Sequence, residues 1–189
     1  MSRPMRADAR RNYERLLVEA RALFEEQGPE APLEDVARRA EVGIGTLYRH
    51  FPTRHALQEA VYREQIEALA EEAYELAERT DPADALVRWM RLMMTHAVTK
   101  RGLNTALMAT LGRESELFAT CRNTIRAAAD ALLTRAKASG AVRKDLEAGD
   151  LLHLVHGISV ATERSPEGAD RMIAFVIEGL RPRGDQDTP

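Results

Sequence analysis

Cysteine is almost absent from this chain: Cys121 is the only one in 189 residues. A single thiol cannot close an intramolecular disulfide, which excludes a disulfide-stapled scaffold and suits a reducing compartment. Aromatic residues are scarce too, at 5%, with one tryptophan, four tyrosines and four phenylalanines. No apolar run approaches the ~20 residues that a bilayer-spanning helix needs, and no period-2 alternation marks a strand. The basic opening "MSRPMRADARRN" is not followed by an apolar segment, so it does not read as a secretory signal. Chemical constellations are missing as well: there is no Ser/His/Asp set, no phosphate-binding glycine loop and no metal-ligand spacing. His153 and His156 stand at i, i+3, with His96 elsewhere, but no carboxylate or cysteine completes a site. Cys121 has only Arg122 beside it in sequence to lower its pKa, a poor redox switch. The expectation is a cytoplasmic chain with no metal, no cofactor and no membrane segment. A catalytic helical bundle is the weakest of the alternatives.

What is present favours helices. Alanine, leucine, arginine and glutamate dominate, within 44% hydrophobic and 30% charged residues, a composition well away from disorder. Net charge is −3, which by itself argues against a polyanionic partner. Its distribution does not. Residues 1–15 hold five arginines (Arg3, Arg6, Arg10, Arg11, Arg15) against Asp8 and Glu14, a basic arm on an acidic body. Positive groups gathered on one face can still bind a polyanion.

Apolar spacing predicts about nine helices. The first runs from about Ala7 to Gln27, with Tyr13, Leu16, Leu17, Ala20, Leu23 and Phe24 on one stripe; Gly28 and Pro29 end it. A short second helix carries Leu33, Val36, Ala37 and Ala40. A third spans about Ile44 to His50, burying Leu47 and Phe51 before Pro52 forces an exit. Thr53 caps a long fourth helix to about Arg79, and Asp81 and Pro82 open a fifth. A short segment near Leu103–Leu111, a long helix over about 114–139 stopped by Gly140, and two final helices over 147–163 and 166–180 follow. The tail "RPRGDQDTP" has nothing to pack with and reads as disordered.

Helices two and three, joined by a tight turn, have the spacing of a helix-turn-helix, whose second helix lies in the DNA major groove. Gly43 and Gly45 stand where that helix begins and would let its backbone approach a phosphate closely. Thr46, Tyr48, Arg49 and His50 are expected to project toward the duplex. "EDVARRAEVGIGTLYRHFPTRHAL" then resembles the DNA-binding region of the TetR family of bacterial transcriptional regulators. The matching features are "VA" in helix two, "GTLYRHF" in helix three, then a proline, a hydroxyl residue, a basic residue and a leucine opening helix four. The resemblance covers residues 10–60. It implies phosphate contacts from Thr46, Tyr48 and Arg54, and positions near bases or adjacent backbone for Ile44, Gly45, Arg49 and His50. Two departures stand out. Ala31-Pro32-Leu33 replaces the usual hydroxyl residue at the start of helix two, and Glu41 occupies a turn position that is usually glycine. The second predicts a strained backbone or an altered turn.

The implied organisation is all-α: residues 1–55 form a three-helix DNA-binding domain, 56–181 an effector-binding and dimerisation domain entered through helix four, and 182–189 a disordered tail. In the body, Trp89, Met90, Met93, Met94, Met108, Leu111 and Phe118 form a methionine-rich apolar set. Such a set suits an adaptable pocket, and equally describes plain core; the resemblance adds an unidentified small-molecule effector. The last two helices carry Leu151, Leu152, Leu154, Val155 and Ile158, then Met172, Ile173, Phe175, Val176, Ile177 and Leu180, more apolar surface than one seam needs. Leu152, Val155, Ile158, Ile173, Val176, Ile177 and Leu180 are the expected homodimer contacts. A twofold dimer in turn expects a palindromic double-stranded operator. The function expected is a ligand-responsive transcriptional repressor; an effector-independent DNA-binding regulator is the alternative.

Overall fold

A computed structural model describes residues 3–99, 101–162 and 166–182, and the tail expected to be disordered lies outside them apart from Arg181 and Pro182. Among the described residues there are nine α-helices, one short 3-10 turn and no strand. They are α1 (Arg3–Gln27), α2 (Leu33–Arg39), α3 (Ile44–His50), α4 (Arg54–Arg79), α5 (Pro82–Thr99), α6 (Arg101–Leu111), α7 (Glu116–Ala138), α8 (Ala148–Ala161) and α9 (Ala169–Leu180). The chain packs as two compact units. One is built on residues up to Gln65 with the stretch that ends at Phe118; the other on Ile66–Thr99 and the described residues from Ala119 onward.

In the first unit α1 supplies one long apolar stripe, Leu16, Leu17, Ala20, Leu23 and Phe24, all buried. It stops where Gly28 turns left-handed at φ 88, a conformation glycine adopts without a Cβ clash. Leu33, Val36 and Ala37 of α2 and Leu47 of α3 close the core. Full burial of a leucine of this kind stabilises by roughly 2 kcal/mol. Glu26 and Arg39 join α1 to α2 through two hydrogen bonds of 2.9 and 2.7 Å; the guanidinium holds the Glu26 carboxyl below its usual range. Thr53 Oγ1 accepts from the Ala56 N–H at 3.1 Å and caps α4. α6 belongs to this unit: a Cβ on Gly102 would stand 3.5 Å from Pro29 Cδ, and Thr110 Oγ1 lies 3.2 Å from His55 Nε2.

In the second unit α5 packs against α8 and α9, and those two against each other. Asp81 caps α5 by accepting from the N–H groups of Ala83 and Asp84 at 2.9 and 3.3 Å. Trp89 is wholly buried and donates its indole N–H to the Leu69 carbonyl at 2.9 Å. Glu147 and Asp150 form a reciprocal capping box at the start of α8. After α7, Gly140 turns at φ 73, and the Arg143 N–H reaches the Leu180 carbonyl at 2.8 Å, tying that loop to the end of α9.

Three expectations need correction. α1 begins at Arg3 rather than near Ala7, because the arginine-rich segment is itself a good helix former. Tyr13 is 37% exposed rather than buried with the stripe; its ring leans on Phe51, centroids 5.1 Å apart, at the edge of the core. Pro166–Gly168 form a 3-10 turn, and α9 starts only at Ala169.

His96 on α5 is half-buried, and its Nε2 has no hydrogen-bond partner. Burial pushes its pKa down from 6.5 to about 4, because desolvation penalises the charged ring. The unfolded chain therefore binds this proton more readily than the folded one. The resulting penalty is absent above about pH 6.5 and grows as pH falls toward 4. Melting curves of wild type and His96→Leu are expected to diverge on acidification across that window, with wild type losing on the order of 2 kcal/mol more. Parallel pH profiles would contradict this.

Candidate nucleic-acid interface

The helix-turn-helix is built from the inside out. Leu47 and Phe51 point into the core and are 0% and 3% exposed. With 100° per residue, anchoring these two turns Gly45 and Arg49 outward and Tyr48 to the flank, while Ile44 stands at the open first residue of the helix. Ile44 and Tyr48 are indeed exposed, at 39% and 45%. Gly45 and Arg49 are exposed as well, and Arg49 has no carboxylate partner among the described residues. An apolar side chain, an aromatic ring and an uncommitted guanidinium on one helix face are unusual for surface that serves only solvation.

The expected row of Thr46, Tyr48, Arg49 and His50 is only half outward. Thr46 is half-buried at one edge. His50 is half-buried at the other, its ring edge-on to Tyr13 with centroids 5.9 Å apart. Seven residues of helix cannot turn four side chains to one side while burying Leu47.

Arg54 has a different occupation from the one the resemblance implies. Its guanidinium donates to the carbonyls of Pro29 at 3.3 Å and Ala31 at 2.5 Å, and lies 3.8 Å from Glu30. Gln58, buried beneath it, donates to the same Pro29 carbonyl at 2.8 Å. Arg54 thus holds the α1–α2 connection, the stretch that lacks the customary hydroxyl. Pro32 opens α2 with no side-chain cap.

Glu41 sits at φ 54, the one left-handed residue other than glycine among those described. Its N–H and that of Val42 bond back to the carbonyls of Arg38 and Ala37 at 3.1 and 3.0 Å, closing α2 as a glycine normally would. For a residue with a Cβ this costs roughly 1–2 kcal/mol. Arg15 lies beside it, 3.4 Å from the carboxylate and 3.5 Å from the carbonyl. The other arginines of the basic arm whose side chains are described are also paired, Arg10 with Glu14 and Arg11 with Asp8.

The two body sets are divided. Trp89, Met90, Met93 and Met94 belong to the second unit, Met108, Leu111 and Phe118 to the first. Trp89, Met90 and Met94 are core residues there, and Phe118 packs against the Tyr62 ring at 5.5 Å. Of the expected dimer contacts, Val155, Ile158, Ile173 and Leu180 are buried within the protomer and have no surface left to share. They face the α5–α8–α9 core, which periodicity alone does not separate from a partner-facing stripe. Leu152, Val176 and Ile177 are half-buried. Phe175, 69% exposed, and Val160, 53% exposed, were not among the expected contacts. Phe175 is two residues from the buried Ile173, about 200° around α9, the signal that would have singled it out.

Neither Gly43 nor Gly45 has a positive φ, and a Cβ at either would meet nothing within 4 Å. Nothing inside the chain demands glycine there, which leaves the helix backbone open to an external demand, the close approach of a ligand. Gly45→Ala is therefore expected to raise thermal stability slightly, by about 0.5 kcal/mol, while weakening binding to duplex DNA. Equal DNA affinity in the two proteins would remove that external demand.

Comparison with known proteins agrees with this geometry. The family described as "Bacterial regulatory proteins, tetR family" matches residues 16–61, and "Transcriptional regulator SbtR-like, C-terminal domain" matches residues 81–182. A TetR transcriptional regulator of Streptomyces coelicolor is 36% identical, with 91% of this chain and 99% of that one covered and a TM-score of 0.78. A TetR regulator of Mycobacterium vanbaalenii is 31% identical, with 95% and 100% covered and a TM-score of 0.76. No curated protein matches. An outward-facing reading helix on a three-helix core, matched at both ends of the chain, means that this chain belongs to the TetR family of bacterial transcriptional regulators.

Proposed function

We propose that two copies of the chain read a near-palindromic operator and repress transcription from it until a small molecule binds the body. The observation that carries the DNA reading is the solvent face of α3, where Arg49 is exposed and, among the described residues, unpaired beside exposed Tyr48. Arg49 serves as the base- or backbone-contacting group, Tyr48 and Thr46 as phosphate contacts, and Ile44, Gly45 and His50 as the rest of the footprint. Arg54 contributes by holding the α1–α2 loop. The domain plan remains the one read from sequence, residues 1–55 for DNA and 56–181 for the body, in a cytoplasmic protein without catalytic activity. No helix among the described residues is long and apolar enough to cross a membrane.

Regulation requires the effector to bind one conformation of the body better than another; only that difference in affinity moves the equilibrium. α4 is the proposed lever, being one unbroken helix from Arg54 to Arg79 that contributes to both units. Of the methionine-rich residues, those of the second unit around Met93 are the proposed effector wall. An effector that binds tightly yet leaves operator affinity unchanged would favour the effector-independent alternative.

Gel-shift titration against the protein's own upstream region, at two salt concentrations, tests the DNA reading. Specific binding is expected, and Arg49→Ala is expected to weaken it by about 1–3 kcal/mol if Arg49 reads a guanine edge. A uniform loss on specific and random duplexes assigns Arg49 to phosphate instead. Absence of binding even at low salt would overturn the reading.

For the dimer, exposed Phe175 and Val160, with Leu152, Val176 and Ile177 half-buried, offer the apolar surface on α8 and α9 that a twofold partner would cover. Phe175→Glu is expected to convert a dimer to a folded monomer in sedimentation, with helix content intact and operator affinity sharply reduced. A variant that stays dimeric would place the contact elsewhere.

A further inference from the structure

The turn before the reading helix holds a residue that folding alone does not account for. Glu41 adopts φ 54, where glycine would sit without strain. Its side chain is 81% exposed, so it buries no apolar surface in return. Among the described residues its carboxylate faces one partner, Arg15, at 3.4 Å, and that guanidinium is itself 45% exposed. A solvent-exposed ion pair of this length returns little stability, less than the strain its backbone carries. The second guanidinium nitrogen of Arg15 reaches the Glu41 carbonyl at 3.5 Å and the Asn12 side-chain oxygen at 3.3 Å, so the arginine is drawn onto the turn itself. The turn ends at Gly43, the residue that opens α3.

An exposed arginine at the entry of a DNA-reading helix is a phosphate-binding group, and a carboxylate lodged on it is a competitor for the same donors. We infer that Glu41 acts as a built-in phosphate mimic that holds Arg15 in the absence of DNA, so that a phosphodiester oxygen must displace it. The pair lowers the sequence-blind part of DNA affinity. The cost is one of exchange: Arg15 releases a partner before it gains one. The exposure of both groups keeps the exchange fast and sensitive to salt. This inference rests on the reading of α3 as the DNA-contacting helix, and concerns a contact that reading does not contain.

The test uses the full chain and a random-sequence duplex as probe, titrated over a salt series. Glu41→Gln keeps the size and removes the charge; it is expected to tighten binding at low salt by roughly 3- to 10-fold and to steepen the log–log salt dependence by about one. Arg15→Gln in the Glu41→Gln background is expected to abolish that gain. Arg15→Gln alone is expected to cost little, since the wild-type arginine is already engaged. Glu41→Gly relieves the strain as well, and is expected to match Glu41→Gln in DNA affinity while melting at a higher temperature, which guards against a folding artefact. Equal affinity of wild type and Glu41→Gln overturns the inference, as does a gain that survives loss of Arg15. If neither wild type nor Glu41→Gln binds any duplex, the DNA reading of α3 itself falls.

Discussion

Burial of Leu47 and Phe51 is the constraint on which the reading face depends. α3 has only seven residues, too few to be stable as an isolated helix. Its conformation is sustained by contact with α1 and α2, and the two inward side chains fix its rotation. Once they are seated, Gly45 and Arg49 turn outward, with Tyr48 at their flank and Ile44 at the open end of the helix. Truncating Leu47 to alanine would remove roughly 2–5 kcal/mol and loosen the angle of every outward group together.

A second layer of polar contacts holds that core in register. Arg39 and Glu26 couple α2 to α1, while Arg54 and Gln58 of α4 converge on the Pro29 carbonyl. The α1–α2 connection is therefore fastened from the side of α4, and α6 approaches the same proline through Gly102. A carbonyl that accepts from two side chains, one of them cationic, is well satisfied. The loop has little freedom to leave α4, so a movement of the first turn of α4 and a movement of the loop are one event.

Local features were legible in the sequence because they depend on local physics. Thr53 and Asp81 cap where hydroxyl and carboxylate residues precede helical runs, and Gly28 and Gly140 terminate helices in the left-handed region. α2, α3 and the inward pair Leu47 and Phe51 follow from spacing, and the misfit of Glu41 was visible as an acidic residue in a glycine place. The rest depends on which helix meets which. Periodicity places Val155 and Ile173 on an apolar face but does not say whether that face meets α5 or a second protomer. Arg54 looks available by its place in the motif, and only the folded α1–α2 loop brings the Pro29 and Ala31 carbonyls to it. His50 and Tyr13 are 37 residues apart in the chain, and no local pattern announces that their rings touch.

The sealed indole of Trp89 has a practical corollary. It is the only tryptophan in the chain, and both it and its acceptor, the Leu69 carbonyl, belong to the same unit. Intrinsic fluorescence is thus a private optical channel into that unit. Fraying confined to the three N-terminal helices would leave the emission untouched, whereas any event that admits water to α5 would shift it to the red.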